Sequence, residues 1–273
     1  MTRYTHNALD GVRLAFDDVP GADGADGAGG PLLLVHGSGL SKAAWRGLGY
    51  RRALAGRRLI ALDMRGHGRS AKPHEDAAYT TAAFVADVEA VLDACGVGSA
   101  HYFGYSFGAR VGFALTAARP GRIRSLACLG GTYRALAGQA GDLFFPGYLE
   151  ALDRGGMGAF LEGWAARAGR PLDPATAHAF GANDPAALAA YFRQGERLPG
   201  LAEDEVARLQ VPALLLAGSR DHPRAEDSRR AAELMPHAVY RELPGLEHAT
   251  SFAAVEPVTA LLRDFLQSQA CPA

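Results

Sequence analysis

The stretch SAHYFGYSFGARVGFALTAA, residues 99–118, decides the fold. Its first half is a short apolar run of strand type and its second half a run of helix formers. The two meet at Gly104-Tyr105-Ser106-Phe107-Gly108 with no residues left over for a loop. A strand that turns straight into a helix holds the corner residue in a strained conformation and projects its side chain above the sheet edge. Glycines two positions to either side suit such a corner, because side chains there collide where strand and helix pack closely. The helix that begins here also aims its free N–H groups and positive dipole end at any negative charge formed nearby. Ser106 is therefore the candidate nucleophile. Five residues of this pattern recur by chance in many chains, so the strand-to-helix setting carries the argument.

Outward from the corner, PLLLVHG (31–37), RRLIALDMRG (57–66) and IRSLACLGG (123–131) are apolar runs bounded by glycine. They alternate with helical segments at 43–55, 80–95 and 107–118, a pattern that predicts βαβ units and a largely parallel sheet. Two β-like stretches, 3–9 and 12–18, precede them, and the Gly/Ala/Asp run from Pro20 to Gly30 reads as a solvated loop. Over 134–205 the alternation stops, and helix formers and aromatics such as Phe144, Phe160, Trp164 and Tyr191 take over without a buried strand. VPALLLAGSRD (211–221), a helix near 224–235, AVYRELPG (238–245) and a helix near 250–268 then resume it. The prediction is one core, 1–133 with 206–273, carrying a helical cap over 134–205. No repeat of fixed period is present.

With 273 residues, 48% hydrophobic and 21% charged, the chain can bury a large core without disulfide support. A net charge of -1 gives no basic face for nucleic acid or anionic lipid. Cys95, Cys128 and Cys271 are odd in number and lack CxxC spacing, which argues against a disulfide framework or structural zinc. The start, MTRYTHNALDG, has no basic end followed by an apolar stretch, and runs such as PLLLV fall far short of a membrane span. The expectation is a cytoplasmic protein that acts on a small molecule, with no membrane or nucleic-acid partner and oligomeric state open.

A serine hydroxyl needs a base to take its proton and a third group to hold that base in the right tautomer. Among nine histidines, His248 follows the strand AVYRELPG in GLEHAT, just before the last helix. His74, His178 and His237 have no such position. Asp221 ends AGSRD directly after the strand VPALLLA, at the sheet edge where Ser106 is expected. The strand before it ends in CLGGTY, without a carboxylate. Glu226 and Asp227 lie in a helical stretch that reads as a solvated face, and Glu247 reads as exposed. His36-Gly37-Ser38-Gly39 follows the strand PLLLV, where a turn can aim backbone N–H groups at a carbonyl oxygen; the N–H groups of Ser38 and Phe107 are the expected oxyanion hole. His36 reads as a loop brace, and Asp63 to Ser70 as a tight loop anchored by Asp63 and Arg65.

HGSG, DMRGHGRS, GYSFGA and the pair Asp221 with His248, in this order, resemble the α/β-hydrolase superfamily across nearly the whole chain. The likeness is greatest to cap-bearing small-molecule members: carboxylesterases, carbon–carbon bond hydrolases of vinylogous diketones, and cofactor-free haloperoxidase-like enzymes. It implies an eight-stranded, mostly parallel sheet flanked by helices, with the cap over Ser106. Relatives with an aspartate nucleophile, the haloalkane dehalogenases and epoxide hydrolases, are excluded by Ser106, and HGSG replaces the HGGG loop of hormone-sensitive-lipase-like esterases. Trp45 resembles a tryptophan often found after that loop and is expected to pack beneath it.

The function expected from this likeness is a serine hydrolase acting on a small or medium apolar ester, lactone or related carbonyl compound through an acyl-enzyme on Ser106. It requires no cofactor and no metal. Two alternatives stay open: a carbon–carbon bond hydrolase of ring-cleavage products, and a ligand-binding receptor on a hydrolase scaffold. Peracid formation would be a side activity of the same acyl-enzyme.

Overall fold

The computed structural model describes residues 1–21, 29–135 and 137–269. The middle of the Gly/Ala/Asp run, and Cys271, lie outside these residues. The strands are β1 (Thr2–His6), β2 (Arg13–Val19), β3 (Leu32–Val35), β4 (Leu59–Asp63), β5 (Ala100–Tyr105), β6 (Ile123–Leu129), β7 (Ala213–Gly218) and β8 (Ala238–Leu243). They form one eight-stranded sheet in the order β1-β2-β4-β3-β5-β6-β7-β8. β2 runs antiparallel to both β1 and β4, and every other pairing is parallel.

The helices are α1 (Ala43–Gly47), α2 (Tyr50–Ala53), α3 (Thr81–Ala94), α4 (Phe107–Ala118), α5 (Gln139–Leu143), α6 (Tyr148–Ala168), α7 (Pro174–Gly181), α8 (Pro185–Gly195), α9 (Glu203–Ala207), α10 (Arg224–Leu234), α11 (His248–Ala253) and α12 (Val255–Ser268). Two differences from the sequence reading concern breaks. The segment 43–55 is two helices, because Gly49 takes the left-handed φ of 100° between them. The last helix is also two, divided at Ala254, so that His248 opens a helix of its own.

Alternation along the central strands gives each face of the sheet its own core. Leu33 and Val35 of β3 join Tyr102, Leu126 and Leu215 beneath the face covered by α3, α4 and α10. Leu32 and Leu34 join Phe103, Ala127 and Leu216 on the opposite face, with Leu262 of α12. There Trp45 is fully buried and packs at 5.1 Å against both Tyr50 and Phe252, underneath the loop that follows β3. Burial of a side chain of this kind contributes roughly 1.5–3 kcal/mol.

α5 to α9 all fall between β6 and β7. Their aromatic residues, Phe144, Phe160, Phe180 and Phe192 among them, continue the first core upward from the sheet. Helix starts in this segment follow capping chemistry: Asp173 and Asp184 accept from Thr176 N–H and Ala187 N–H at 2.9 Å, each followed by a proline at the first helical position. Asp63 accepts from the N–H of Lys42 at 2.7 Å and of Arg69 at 3.0 Å, while the buried Arg65 pairs with Asp87 at 2.7 Å and Asp10 at 2.6 Å. The loop from 63 to 70 is therefore anchored as its sequence suggests. Among the described residues no helix is long and apolar enough to cross a membrane.

Candidate active site

β3 and β5 are neighbours, with β4 to one side and β6 to the other, so the chain leaves their carboxyl ends in opposite directions and opens a crevice there. Ser106 stands at this point. Its φ of 55° makes it the one non-glycine residue with positive φ among the described residues, a conformation that costs on the order of 1–3 kcal/mol and persists only where the surroundings enforce it. A Cβ at Gly104 would lie 2.5 Å from the Ala109 nitrogen, and one at Gly108 would run into the Val35 carbonyl. The two glycines are thus required by close packing of strand, helix and neighbouring strand.

His248 Nε2 lies 2.9 Å from Ser106 Oγ, and His248 Nδ1 lies 2.8 Å from Asp221 Oδ2. An ionised carboxylate can only accept, so Nδ1–H donates to Asp221 and leaves Nε2 as the acceptor for the serine hydroxyl. The Tyr105 ring stacks on the imidazole at 5.1 Å, and its hydroxyl donates to the His248 carbonyl at 3.2 Å. Burial pushes the His248 pKa below its ordinary 6.5, and the Arg224 guanidinium pushes the same way, while the hydrogen bond to Asp221 opposes them. The neutral imidazole that a general base requires is the favoured form.

Gly130, at the end of β6 with φ 58°, passes beside this relay. A Cβ there would lie 2.9 Å from Asp221 Oδ2 and 3.0 Å from His248 Nδ1. The CLGG ending of β6 therefore does more than lack a carboxylate, since it leaves room for the Asp221 carboxylate and the His248 ring to meet.

The HGSG loop is braced by two buried histidines. His36 donates through Nδ1 to the Gly37 carbonyl at 2.8 Å and accepts the Met64 N–H at 3.1 Å, while His67 accepts the Gly39 N–H at 3.0 Å. Burial, chiefly, drives His67 down to about 3, so it stays neutral. The Ser38 and Phe107 N–H groups have no hydrogen-bond partner among the described residues, and both residues line the cavity above Ser106.

Two side chains that the sequence did not single out for a site hold this loop from above. Tyr191 of α8 has its hydroxyl 2.6 Å from Ser38 Oγ, and Asn183 Nδ2 donates to the Gly39 carbonyl at 2.8 Å. No local pattern marks either, because each partner lies some 150 residues away in the chain. Leu143, Phe144 and Phe192 close the cavity, whose free space is about 560 Å³ with its open mouth included.

The rival residues lie elsewhere. Glu226 and His222 are exposed and paired with each other at 2.5 Å, His74 faces Asp184 at 3.3 Å, and His178, His237 and Glu247 are exposed. Asp227 corrects the sequence reading. It is buried, accepting from the Thr132 hydroxyl at 2.5 Å and from Arg134 Nε at 3.0 Å, and so ties α10 to the chain leaving β6. Among the described residues no group of three His, Cys, Asp or Glu side chains is placed to hold a metal ion.

Comparison with known proteins bears on this site. Residues 30–252 match the family model for the alpha/beta hydrolase fold. The chain belongs to the α/β-hydrolase fold family. It is similar to the 2-hydroxymuconate semialdehyde hydrolase of Pseudomonas sp. (strain CF600), 40% identical over 106 residues, 38% of this chain and 37% of that protein. The match thus spans little more than a third of that relative's length. Over 254 residues, 89% of this chain and 94% of the relative, it is 29% identical to RutD of Variovorax paradoxus (strain S110), provisionally named a carbamate hydrolase. Among solved structures, a thermophilic esterase from Thermogutta terrifontis superposes with a TM-score of 0.81 at 23% identity, covering 99% of this chain and all of that one, which bears on the α/β-hydrolase fold alone. Family and sequence relatives support hydrolase chemistry.

Proposed function

We propose that this α/β-hydrolase is a serine hydrolase that cleaves a small or medium carbonyl substrate with an apolar body, an ester or lactone, through an acyl-enzyme on Ser106. The observation that carries the reading is the relay from Asp221 through His248 to Ser106, with links of 2.8 and 2.9 Å at a strained strand-to-helix corner. His248 takes the hydroxyl proton as Ser106 Oγ adds to the substrate carbonyl, and the imidazolium is held by ionised Asp221. The N–H groups of Ser38 and Phe107 receive the oxyanion, each such donor contributing on the order of 3 kcal/mol. His248 returns the proton to the leaving group, and water deprotonated by the same ring then releases the acid. The helical segment 134–205 acts as a cap over this chemistry, on a core of 1–133 and 206–273. The substrate is a small molecule met in the cytosol.

A panel of 4-nitrophenyl esters and lactones, with a fluorophosphonate probe, tests the reading. Turnover together with label on Ser106, both abolished in Ser106→Ala, supports it. Label without turnover of any ester or lactone points instead to a receptor on this scaffold. A second reading, carbon–carbon bond hydrolysis, draws on the 40% identity to a 2-hydroxymuconate semialdehyde hydrolase. Faster cleavage of a vinylogous diketone than of any ester would favour it.

A further inference from the structure

Three charged side chains line the cavity above Ser106: Arg110, Glu196 and Arg224. Glu196 is occupied, accepting from the Tyr148 hydroxyl at 2.9 Å and the Gly138 N–H at 2.5 Å. Arg110 donates to the main-chain carbonyls of Arg134, Leu198 and Pro199, pinning both ends of the helical segment to α4, and no carboxylate balances its charge among the described residues. Arg224 differs from both. It is 8% exposed, yet it makes one hydrogen bond among the described residues, a long one of 3.3 Å from Nη1 to Asp221 Oδ1. A guanidinium carries five N–H donors in a rigid fork, so most of this fork opens unpartnered onto the cavity.

We propose that Arg224 recognises a carboxylate on the substrate, so that the compound cleaved at Ser106 has an apolar body between its scissile carbonyl and an anionic end. Burying a cation beside one shared carboxylate is costly, and an incoming carboxylate satisfies the fork in the bidentate geometry that suits arginine. Leu143, Phe144 and Phe192 in the same lining offer apolar contact to a carbon chain. The inference rests on the serine-hydrolase reading for the position of the scissile bond, but the recognition itself does not need turnover.

The test therefore has two arms. In the first, monoethyl esters of C5 to C8 dicarboxylic acids are compared with ethyl esters of the monocarboxylic acids of equal length, following ethanol release. Wild type is expected to prefer the anionic ester at least tenfold in kcat/KM. Arg224→Gln is expected to lower that ratio at least tenfold, with Arg224→Lys in between because it keeps the charge and loses the fork. If Arg224 only steadies Asp221, both esters slow together and the ratio stays fixed, which overturns the proposal. In the second arm, calorimetry measures binding of the same half-esters to Ser106→Ala. Adding Arg224→Gln is expected to weaken binding at least tenfold, and unchanged binding overturns the proposal. Binding lost with Arg224, in a protein that turns over neither ester, would uphold carboxylate recognition while sinking the hydrolase reading.

Discussion

Tyr191→Phe removes one oxygen atom from a ring that is otherwise locked. The ring is 2% exposed and lies within 5.1 Å of His67, Phe107 and Phe192, so phenylalanine fills the same space and the apolar packing survives. The hydrogen bond to Ser38 Oγ is lost, and with it one of the two side-chain hydrogen bonds that, among the described residues, tie the helical segment to the loop that supplies the Ser38 N–H. A hydrogen bond between neutral hydroxyls contributes about 1 kcal/mol, which sets the lower bound at roughly a fivefold loss of rate. Complete loss of an oxyanion donor costs on the order of 3 kcal/mol, which sets the upper bound at roughly a hundredfold. On the proposal that the Ser38 N–H receives the oxyanion, the loss is expected in kcat with KM changed less than twofold. Steady-state kinetics on Tyr191→Phe, Ser38→Ala and the double variant supply the cycle. If Tyr191 acts through Ser38, the double variant is no slower than the slower single one. Fully additive losses, or a rise in KM at constant kcat, would refute the reasoning that the helical segment sets the oxyanion loop.

Three further outcomes follow from the site. Gly130→Ala, which places a methyl group 2.9 Å from Asp221 Oδ2 at a positive φ, should cut kcat/KM by at least a hundredfold while far-ultraviolet circular dichroism stays native; near-normal activity would contradict the tight passage of β6 beneath the relay. Because burial lowers the His248 pKa, the base stays neutral further into acid, and the acid limb of kcat/KM should fall below pH 6.5 instead of above it. His67, held at about 3 in the fold against an ordinary 6.5, favours the native state above pH 6.5 and loses that contribution as pH falls toward 3. At pH 5 the loss is about 2 kcal/mol, to be read as a lower chemical-denaturation midpoint that His67→Gln should flatten.

The sheet and the relay were legible because their signals are local. Glycine-bounded apolar runs such as PLLLVHG and VPALLLAG mark buried parallel strands, and Ser106, Asp221 and His248 each follow one of these strand ends in sequence. The close packing at Gly104 and Gly108 could be argued from the corner they flank. Other features depend on partners that no window of sequence contains. Asp227 sits in RAEDSRRAAEL, whose composition reads as a solvated face, and it is buried because Thr132 and Arg134 reach it from the end of β6. Tyr191 was visible only as one aromatic among many, and its hydroxyl gains meaning from Ser38 across the crevice. Arg224 stands three residues after Asp221, close enough to be noticed, but its unpartnered fork is a property of the cavity wall.

The claim on which the rest depends, that Ser106 carries the acyl group in turnover, is tested most directly by rapid quenching. Protein and excess ester are mixed and stopped within the first turnover, and the intact mass and peptide map are recorded. The account predicts a mass gain of one acyl group on the peptide containing Ser106, absent in Ser106→Ala. Sustained turnover with no adduct at any quench time, or an adduct on another side chain, would contradict it.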